Sequence, residues 1–227
     1  ALFIESHPDP KNAISDGDNC ININDIESLI VDIIKINSVL KNGKQVSMIK
    51  IKKIIGRQII DSRGNPTCEA DVILDNGIIG RGAVPSGAST GKLEALELRD
   101  NDLSSFSGKS VLNAVSNIDN GISNNIDDRY GYTQETFDQF LIDLDGTGNK
   151  ERLGANAILA SSIAFANANA LNSNIPLYQS LTDDSSYMLP IPMMNIINGG
   201  CHANNHLDFQ EFMILPVGFD LIGSSIK

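Results

Sequence analysis

The strongest constraint on this fold is an alternating pattern that runs from residue 49 to residue 84. Residues 49–60 are rich in isoleucine with interspersed lysines, and a turn cluster occupies residues 61–66. The next run alternates small or apolar residues with acidic ones, as a half-buried strand does. Its apolar members are Cys68, Ala70, Val72 and Leu74. Asn76-Gly77 then supplies a tight hairpin turn. The pattern predicts three antiparallel strands.

Helices are predicted after this sheet. Residues 111–118 and 133–142 carry short apolar periodicities, and residues 153–171 hold many Ala and Ser residues with larger apolar ones among them. Small side chains allow close helix packing, so we interpret the last helix as structural. Asn174-Ile175-Pro176 ends it. Sheet and helices together predict an α+β domain.

A second strand pair is predicted near the carboxyl end of the chain. Two apolar runs, residues 193–197 and 212–217, flank a loop that begins with glycines after Asn198. Glycine lets the backbone adopt positive φ and approach a ligand closely. The loop brings three polar side chains to the rim of the strands, where binding and catalytic groups are common; they are His202, Gln210 and Glu211. On residue pattern alone, a turn with incidental polar residues explains the stretch about equally well.

The ordered motif in this stretch resembles that of the enolases. Residues 192–200 read Pro-Met-Met-Asn-Ile-Ile-Asn-Gly-Gly, His202-Ala203 follow, and residues 210–214 read Gln-Glu-Phe-Met-Ile. Cys201 stands where the family usually has Ser or Glu. The resemblance implies two enolase domains. The first is an amino-terminal α+β domain over residues 48–185, with a three-stranded antiparallel sheet and helices. The second is the start of an α/β barrel over residues 186–227.

A loop of small residues, 86–91, reads Ser-Gly-Ala-Ser-Thr-Gly. Read alone, such loops are mostly linkers, and this one lacks the Gly-Lys-Ser/Thr spacing of a phosphate-binding P-loop. Together with residues 94–100 it resembles the mobile catalytic loop of enolases. The resemblance implies that Ser89 gives oxygen ligands to a second Mg²⁺ when the loop closes over substrate, and oxygen donors are what Mg²⁺ takes.

The resemblance also implies an activity. It is that of a Mg²⁺-dependent carbon–oxygen lyase that dehydrates 2-phosphoglycerate to phosphoenolpyruvate in glycolysis. The partner is then a small phosphorylated hydroxy acid. Glu211 matches a catalytic carboxylate near the departing hydroxyl that also contacts substrate, His202 matches a substrate-contacting histidine, and Gln210 matches a polar contact to substrate. His206 matches no functional role and is interpreted as a surface residue.

A homodimer is expected from the amino-terminal match. Residues 56–57 and 61–67 resemble the start of enolases, in which arginines matching Arg57 and Arg63 make ion pairs across the dimer interface of the full-length protein. A charged turn is the alternative, since exposed ion pairs contribute little to stability.

The barrel match predicts an incomplete active site. A β/α barrel takes roughly 250 residues, whereas residues 186–227 supply only its first strands. In the family, the three carboxylates for the first Mg²⁺, the lysine base and the second acid/base Glu lie on later strands. We therefore expect this polypeptide to be an inactive piece of a reading frame that joins two enzymes. A non-catalytic dimerisation or surface-interaction module is the alternative function.

Residues 1–47 differ from the rest of the chain. A short apolar run at residues 1–4 precedes a proline turn, and Asn24 with Glu27 predicts the capped start of a helix over residues 26–34. This βα unit has nothing before it to pair against. Ser47-Met48 is the predicted junction with the second protein.

The same segment resembles the carboxyl end of 3-deoxy-octulosonate 8-phosphate synthase, a β/α barrel enzyme. The matching strings are at residues 2–5, 7–10, 12–13 and 15–17. The resemblance implies metal ligands at Glu5 and Asp16, a task that suits carboxylates at the end of a barrel strand. A solvated acidic turn is the favoured alternative, because the other strands of that barrel do not precede it in this sequence.

The net charge and the cysteine content limit the kinds of partner and of cellular compartment that we expect. A formal net charge of -11 argues against a nucleic-acid partner, since no basic patch is supplied. Three cysteines, widely spaced and without a Cys-x-x-Cys pair, predict free thiols in a reducing compartment. No apolar run approaches the length of a membrane span. These features predict a cytoplasmic protein without a membrane span.

Overall fold

The computed structural model describes residues 6–7, 9, 11, 21–25, 28–29, 48–87, 91–127, 129, 131–182, 186–218 and 222–225. The chain forms two compact units. The first comprises residues 1–86 and 91–183, and the second comprises residues 87–90 and 184–227.

The amino end contributes two short strands. Strand β1 (Ser6–His7) pairs in parallel with β2 (Ile21–Asn22), and a 3₁₀ turn (Ile23–Asp25) follows. The sequence predicted a turn at the position of β1. Asn24 lies inside the 3₁₀ turn, and its backbone N–H donates to the Asn22 side chain at 3.0 Å. The strand predicted over residues 1–4 and most of the helix predicted over residues 26–34 lie outside the described residues.

The predicted meander is confirmed. Strands β3 (Ile51–Ile60), β4 (Pro66–Leu74) and β5 (Ile79–Ala83) form an antiparallel sheet in the order β3-β4-β5. The turn between β4 and β5 has Gly77 at φ +87°, a conformation that glycine adopts without steric cost. The apolar members of the β4 pattern are all buried, which is what their alternation predicted.

The helices also lie where the periodicity placed them. Helix α1 (Leu112–Ser116) continues into a π-helical turn (Asn117–Ile122) and a 3₁₀ turn (Ser123–Asn125). The remaining helices of this unit are α2 (Gln134–Asp145), α3 (Ala155–Asn172) and α4 (Leu177–Ser180).

Capping residues fix the ends of α2. At the start, the Thr133 hydroxyl accepts the N–H of Thr136, and the Thr136 hydroxyl accepts the N–H of Thr133 at 2.8 Å. Gly146 ends the helix at φ +69°. The predicted stop of α3 before Pro176 is confirmed as well.

Helix α3 packs at very short range against the sheet of the first unit. A Cβ placed on Gly82 would lie 2.5 Å from the Ala164 nitrogen and 2.6 Å from the Ala160 oxygen. Gly80 faces Ala164 and Ala168 at similarly short range. The backbone of α3 therefore rests directly on β5. The large apolar side chains fill the core beside this contact; Ile54, Ile118, Phe137, Leu141 and Phe165 are fully buried.

Side chains of the π-helical turn and of the 3₁₀ turn after it cover the outer edge of β3. The Asp119 carboxylate accepts the N–H of Gly56 at 2.8 Å, and the Ser123 hydroxyl accepts the N–H of Ile54 at 3.0 Å. Gly56 permits this approach, because a Cβ there would lie 2.9 Å from the Ile118 Cβ. Exposed strand edges recruit other strands, so these side chains protect the edge.

The opposite face of the sheet carries an ion-pair network. Arg57 bridges Glu69 and Asp71, and Arg81 pairs with Asp71 at 2.8 Å. These residues alternate with the ones that face the helices, as strand geometry requires. The hydrogen bond from Arg81 is the largest cause that lowers the pKa of Asp71 to about 2; burial opposes it, and Arg57 adds to the lowering.

The second unit is built on an antiparallel pair, β6 (Met194–Asn198) and β7 (Glu211–Ile214). The two strands overlap the predicted apolar runs, but β6 extends one residue further to Asn198 and β7 begins one residue earlier at Glu211 and ends at Ile214. A 3₁₀ turn (Gly200–His202) follows β6, and helix α5 (Ile222–Ser225) follows β7. Many apolar side chains of the pair are exposed, among them Ile196 at 59% and Phe212 at 44%.

Replacing Gly82 tests the contact between α3 and the sheet. We expect Gly82→Ala to lower the free energy of unfolding by roughly 2 kcal/mol or more, because overpacking forces backbone to move. Urea denaturation followed by circular dichroism measures this. Gly148→Ala is the matched control, since a Cβ on Gly148 meets nothing within 4 Å. Equal stability of the two variants would show that the contact is not tight.

Acid titration tests the ion-pair network. Because the pKa of Asp71 is lowered on folding, its stabilisation is complete above the unfolded value near 3.9 and is lost as pH falls through about 2. We expect Asp71→Asn to lose about 2 kcal/mol at pH 7 and to lose less on further acidification than the natural chain does. Asp75→Asn, at an exposed position, is the control. Parallel stability curves for the natural chain and Asp71→Asn would contradict this account.

Candidate functional site

The candidate site lies at one end of the β6–β7 pair. Asn198 closes β6 and pairs with Glu211, which opens β7. The loop of residues 199–210 connects them, so His202 and Glu211 share this end of the hairpin. A register shift between Asn195 and Ile197 bends β6 just before the site.

Two glycines bring the arms of this loop together. A Cβ on Gly199 would lie 2.6 Å from the Leu207 Cβ, and Gly200 adopts φ +54°. The Gly199 N–H donates to the Gln210 oxygen at 2.9 Å, and the Gly200 N–H donates to the Leu207 oxygen at 2.7 Å. The close approach predicted for these glycines is thus made to the chain's own backbone.

The loop places an imidazole against a carboxylate. The His202 Nδ1 and the Glu211 Oε1 lie 3.1 Å apart, within hydrogen-bond distance. Their side chains are 25% and 31% exposed, so both remain accessible to a ligand. A histidine beside a carboxylate can hold a proton in a fixed orientation and pass it on, which is the basis of general acid–base chemistry. Gln210 is held beside the pair through its backbone oxygen.

Comparison with family models gives the ancestry. The model described as the N-terminal domain of enolase matches residues 51–181, more than half of the chain. The chain belongs to the enolase family. The model described as the C-terminal TIM barrel domain of enolase matches residues 186–227, the span that holds His202, Gln210 and Glu211. This confirms the predicted fold class, an enolase N-terminal domain with a three-stranded antiparallel sheet and helices, followed by the start of the barrel domain.

The predicted site residues have different outcomes. The structure brings His202 and Glu211 together and holds Gln210 next to them, although the roles assigned to them stay predictions. Ser89 lies outside the described residues, as do Glu5 and Asp16. The synthase-like metal site at the amino end therefore stays a prediction. His206 is exposed, as its interpretation as a surface residue requires.

Arg99, a residue that the sequence did not single out, joins Ser86 to Glu97. Its guanidinium donates to the Ser86 hydroxyl at 3.1 Å and to the Glu97 carboxylate at 2.6 Å. It also donates to the backbone oxygens of Pro66 and Lys109. Ser86 in turn donates to Glu97 at 3.2 Å. The only sequence signal was the short Glu97-x-Arg99 spacing, because the other partners are distant in the chain.

The arginines matched to a dimer interface have partners within the chain. Arg57 pairs with Glu69 and Asp71, and the hydrogen bond from its guanidinium to Asp71 is the largest cause that raises its pKa. Arg63 donates to the backbone oxygen of Ser86. The predicted homodimer stays a prediction.

Enolases generally use Mg²⁺, a cation that takes oxygen ligands, mostly from carboxylates. Within the described residues, no three His, Cys, Asp or Glu side chains come together as a metal-binding group. The part of the chain described here thus does not by itself fit a metal cage.

The residues that the structure describes contain no helix that is both long and apolar enough to cross a membrane.

Burial raises the pKa of the Cys68 thiol to about 12, which makes this thiol unreactive.

Gly199→Ala tests whether the glycines set the site geometry. The added Cβ collides with Leu207, so we expect the ends of β6 and β7 to separate. Amide hydrogen exchange in the hairpin should accelerate on the order of tenfold or more. Gly223→Ala is the control, since a Cβ on Gly223 meets nothing within 4 Å. Unchanged exchange in Gly199→Ala would show that the loop arms are not tightly apposed.

Proposed function

We propose that this chain carries part of an enolase active site, and that the reaction is the reversible dehydration of 2-phosphoglycerate to phosphoenolpyruvate. The observation that supports the proposal is the 3.1 Å approach of His202 to Glu211 at the end of the first barrel hairpin. Both residues stand at motif positions for which the family resemblance implies substrate contact and acid–base work.

The step that we assign to this chain is the departure of the substrate's C3 hydroxyl. In the dehydration, the proton at C2 leaves to a base, a C2–C3 double bond forms, and the C3–O bond breaks. The departing hydroxide must take up a proton to become water. In this proposal Glu211 supplies that proton, and its carboxylate is then left with the negative charge. His202, on the same carboxylate, orients it and offsets this charge when protonated.

We assign the removal of the C2 proton to residues other than 1–227. The resemblance implies a lysine base and three carboxylates for the first Mg²⁺ on later barrel strands, which are not among residues 1–227. Superfamily members combine such a base with Mg²⁺ to stabilise the enolate. Ser89 is kept as a proposed ligand of the second Mg²⁺, and no step assigned to Glu211 or His202 depends on it.

A direct assay tests the inactivity of the polypeptide alone. Incubating residues 1–227 with 2-phosphoglycerate and Mg²⁺ should give no phosphoenolpyruvate by ultraviolet absorbance, because the base is missing. Clear product formation would refute this part of the proposal.

A hybrid tests the roles of the residues present. Residues 48–227 are joined to the remaining barrel strands of an enolase with measured activity, at the equivalent position. The hybrid should form phosphoenolpyruvate, and Glu211→Gln should lower its kcat by ~10²–10⁴, the usual contribution of a general acid or base.

The matched control for this hybrid is His206→Gln, which changes an exposed residue of the same loop. It should leave kcat within about threefold of the parent hybrid, since isolated surface changes have small effects. Equal activity of Glu211→Gln and His206→Gln would remove Glu211 from the reaction. A hybrid that folds but never forms product would remove the proposed function.

A further inference from the structure

Asn205 ties the two arms of the site loop together through its side chain. Its Nδ2 donates to the backbone oxygen of Asn198 at 2.9 Å, and its Oδ1 accepts the N–H of Leu207 at 3.0 Å. Asn198 is the last residue of β6, and Leu207 lies on the arm that returns to β7. One amide group therefore joins Asn205 to the end of β6 and also fixes the turn that leads into Leu207.

The Asn205 bonds act on both segments that carry the His202–Glu211 pair. His202 lies between Asn198 and Asn205 in the sequence, and Glu211 follows the arm that contains Leu207. Two further bonds cross the loop, from Gly199 to Gln210 and from Gly200 to Leu207, and both are made by backbone groups. Of the bonds named here, apart from the one between His202 and Glu211, only the two at Asn205 can be removed by substituting a side chain.

We propose that Asn205 is a positioning residue that fixes the distance between His202 and Glu211. The proposal rests on the proposed function for the acid–base role of the His202–Glu211 pair. The distance between these two side chains can be tested in the chain without that role. Without the Asn205 bonds, the returning arm is held to β6 by backbone bonds beside two conformationally free glycines. The carboxylate of Glu211 then loses its fixed relation to the imidazole, and a loosely held acid–base pair works poorly.

A positioning role differs from a purely structural one in what it changes. Asn205 is exposed, so its truncation buries or uncovers little apolar surface. Substitutions at exposed positions alter overall stability only slightly. The effect should therefore appear in the coupling between His202 and Glu211 while the strand pair stays formed.

The experiment is a double-mutant cycle read by nuclear magnetic resonance. The chain is labelled in its histidine rings, and the His202 signal is identified by its loss in His202→Gln. In the natural chain, Glu211→Gln should shift the His202 ring nitrogen signal, because the hydrogen-bond partner changes. In the Asn205→Ala background, the same Glu211→Gln change should shift it by roughly half or less, as expected when coupling between neighbours is broken.

Two further variants complete the test. Asn204→Ala alters the adjacent residue, which takes no part in the tie, and should leave the full Glu211-dependent shift. Asn205→Asp keeps an acceptor for Leu207 but sets a carboxylate oxygen against the Asn198 oxygen, so above the pKa of that carboxyl it should behave like Asn205→Ala. Amide exchange in β6 and β7 reports whether the hairpin is intact in each variant.

The outcomes separate this inference from the proposed function. A full Glu211-dependent shift in either Asn205 variant overturns the positioning role, and so does loss of the hairpin in both, which would make Asn205 a folding residue. A reduced shift with an intact hairpin supports it. No substrate enters the measurement, so its result is independent of whether the hybrid enzyme forms phosphoenolpyruvate.

Discussion

The contact between α3 and β5 is the constraint on which the first unit depends. Gly80 and Gly82 leave no side chain on the helix-facing side of β5. The α3 residues opposite them are alanines, which have a small side chain and a high helix propensity. Helix backbone then lies directly on strand backbone. Asn167 of α3 uses this proximity to donate to the Arg81 oxygen at 2.8 Å, which covers part of the free edge of β5. Helix and strand are thus joined by hydrogen bonding as well as by packing.

The same logic governs the other edge of the sheet. Gly56 lets the segment after α1 approach β3, and Asp119 and Ser123 replace the hydrogen bonds that a further strand would make. The π-helical turn carries Asp119 and the 3₁₀ turn after it carries Ser123, so both side chains reach the same strand. A small sheet of three strands is in this way supplied with partners at both edges and needs no additional strand to satisfy these groups.

Local patterns predicted most of the strands and helices, whereas bonds between residues distant in the chain could not be predicted. The alternation in β4 and the Asn76-Gly77 turn are readable because they concern neighbours in the chain. The bond from Gly56 to Asp119 spans 63 residues, and the one from Arg99 to Pro66 spans 33. Nothing in a single sequence pairs such groups. The pairing of His202 with Glu211 is intermediate, since the motif brings both to one loop but the strand register decides which atoms meet.

The site loop shows why that pair can be defined by a short stretch of chain. The contacts nearest the pair, from the Asn198–Glu211 strand pairing to the bonds at Gly199, Gly200 and Asn205, join residues within 198–211. Contacts of such small sequence separation cost little chain entropy to form. By contrast, the apolar side chains of the same hairpin remain largely exposed. The geometry of the acid–base pair is therefore a local property, whereas a closed pocket for the phosphorylated substrate requires apolar partners and charges from beyond the hairpin.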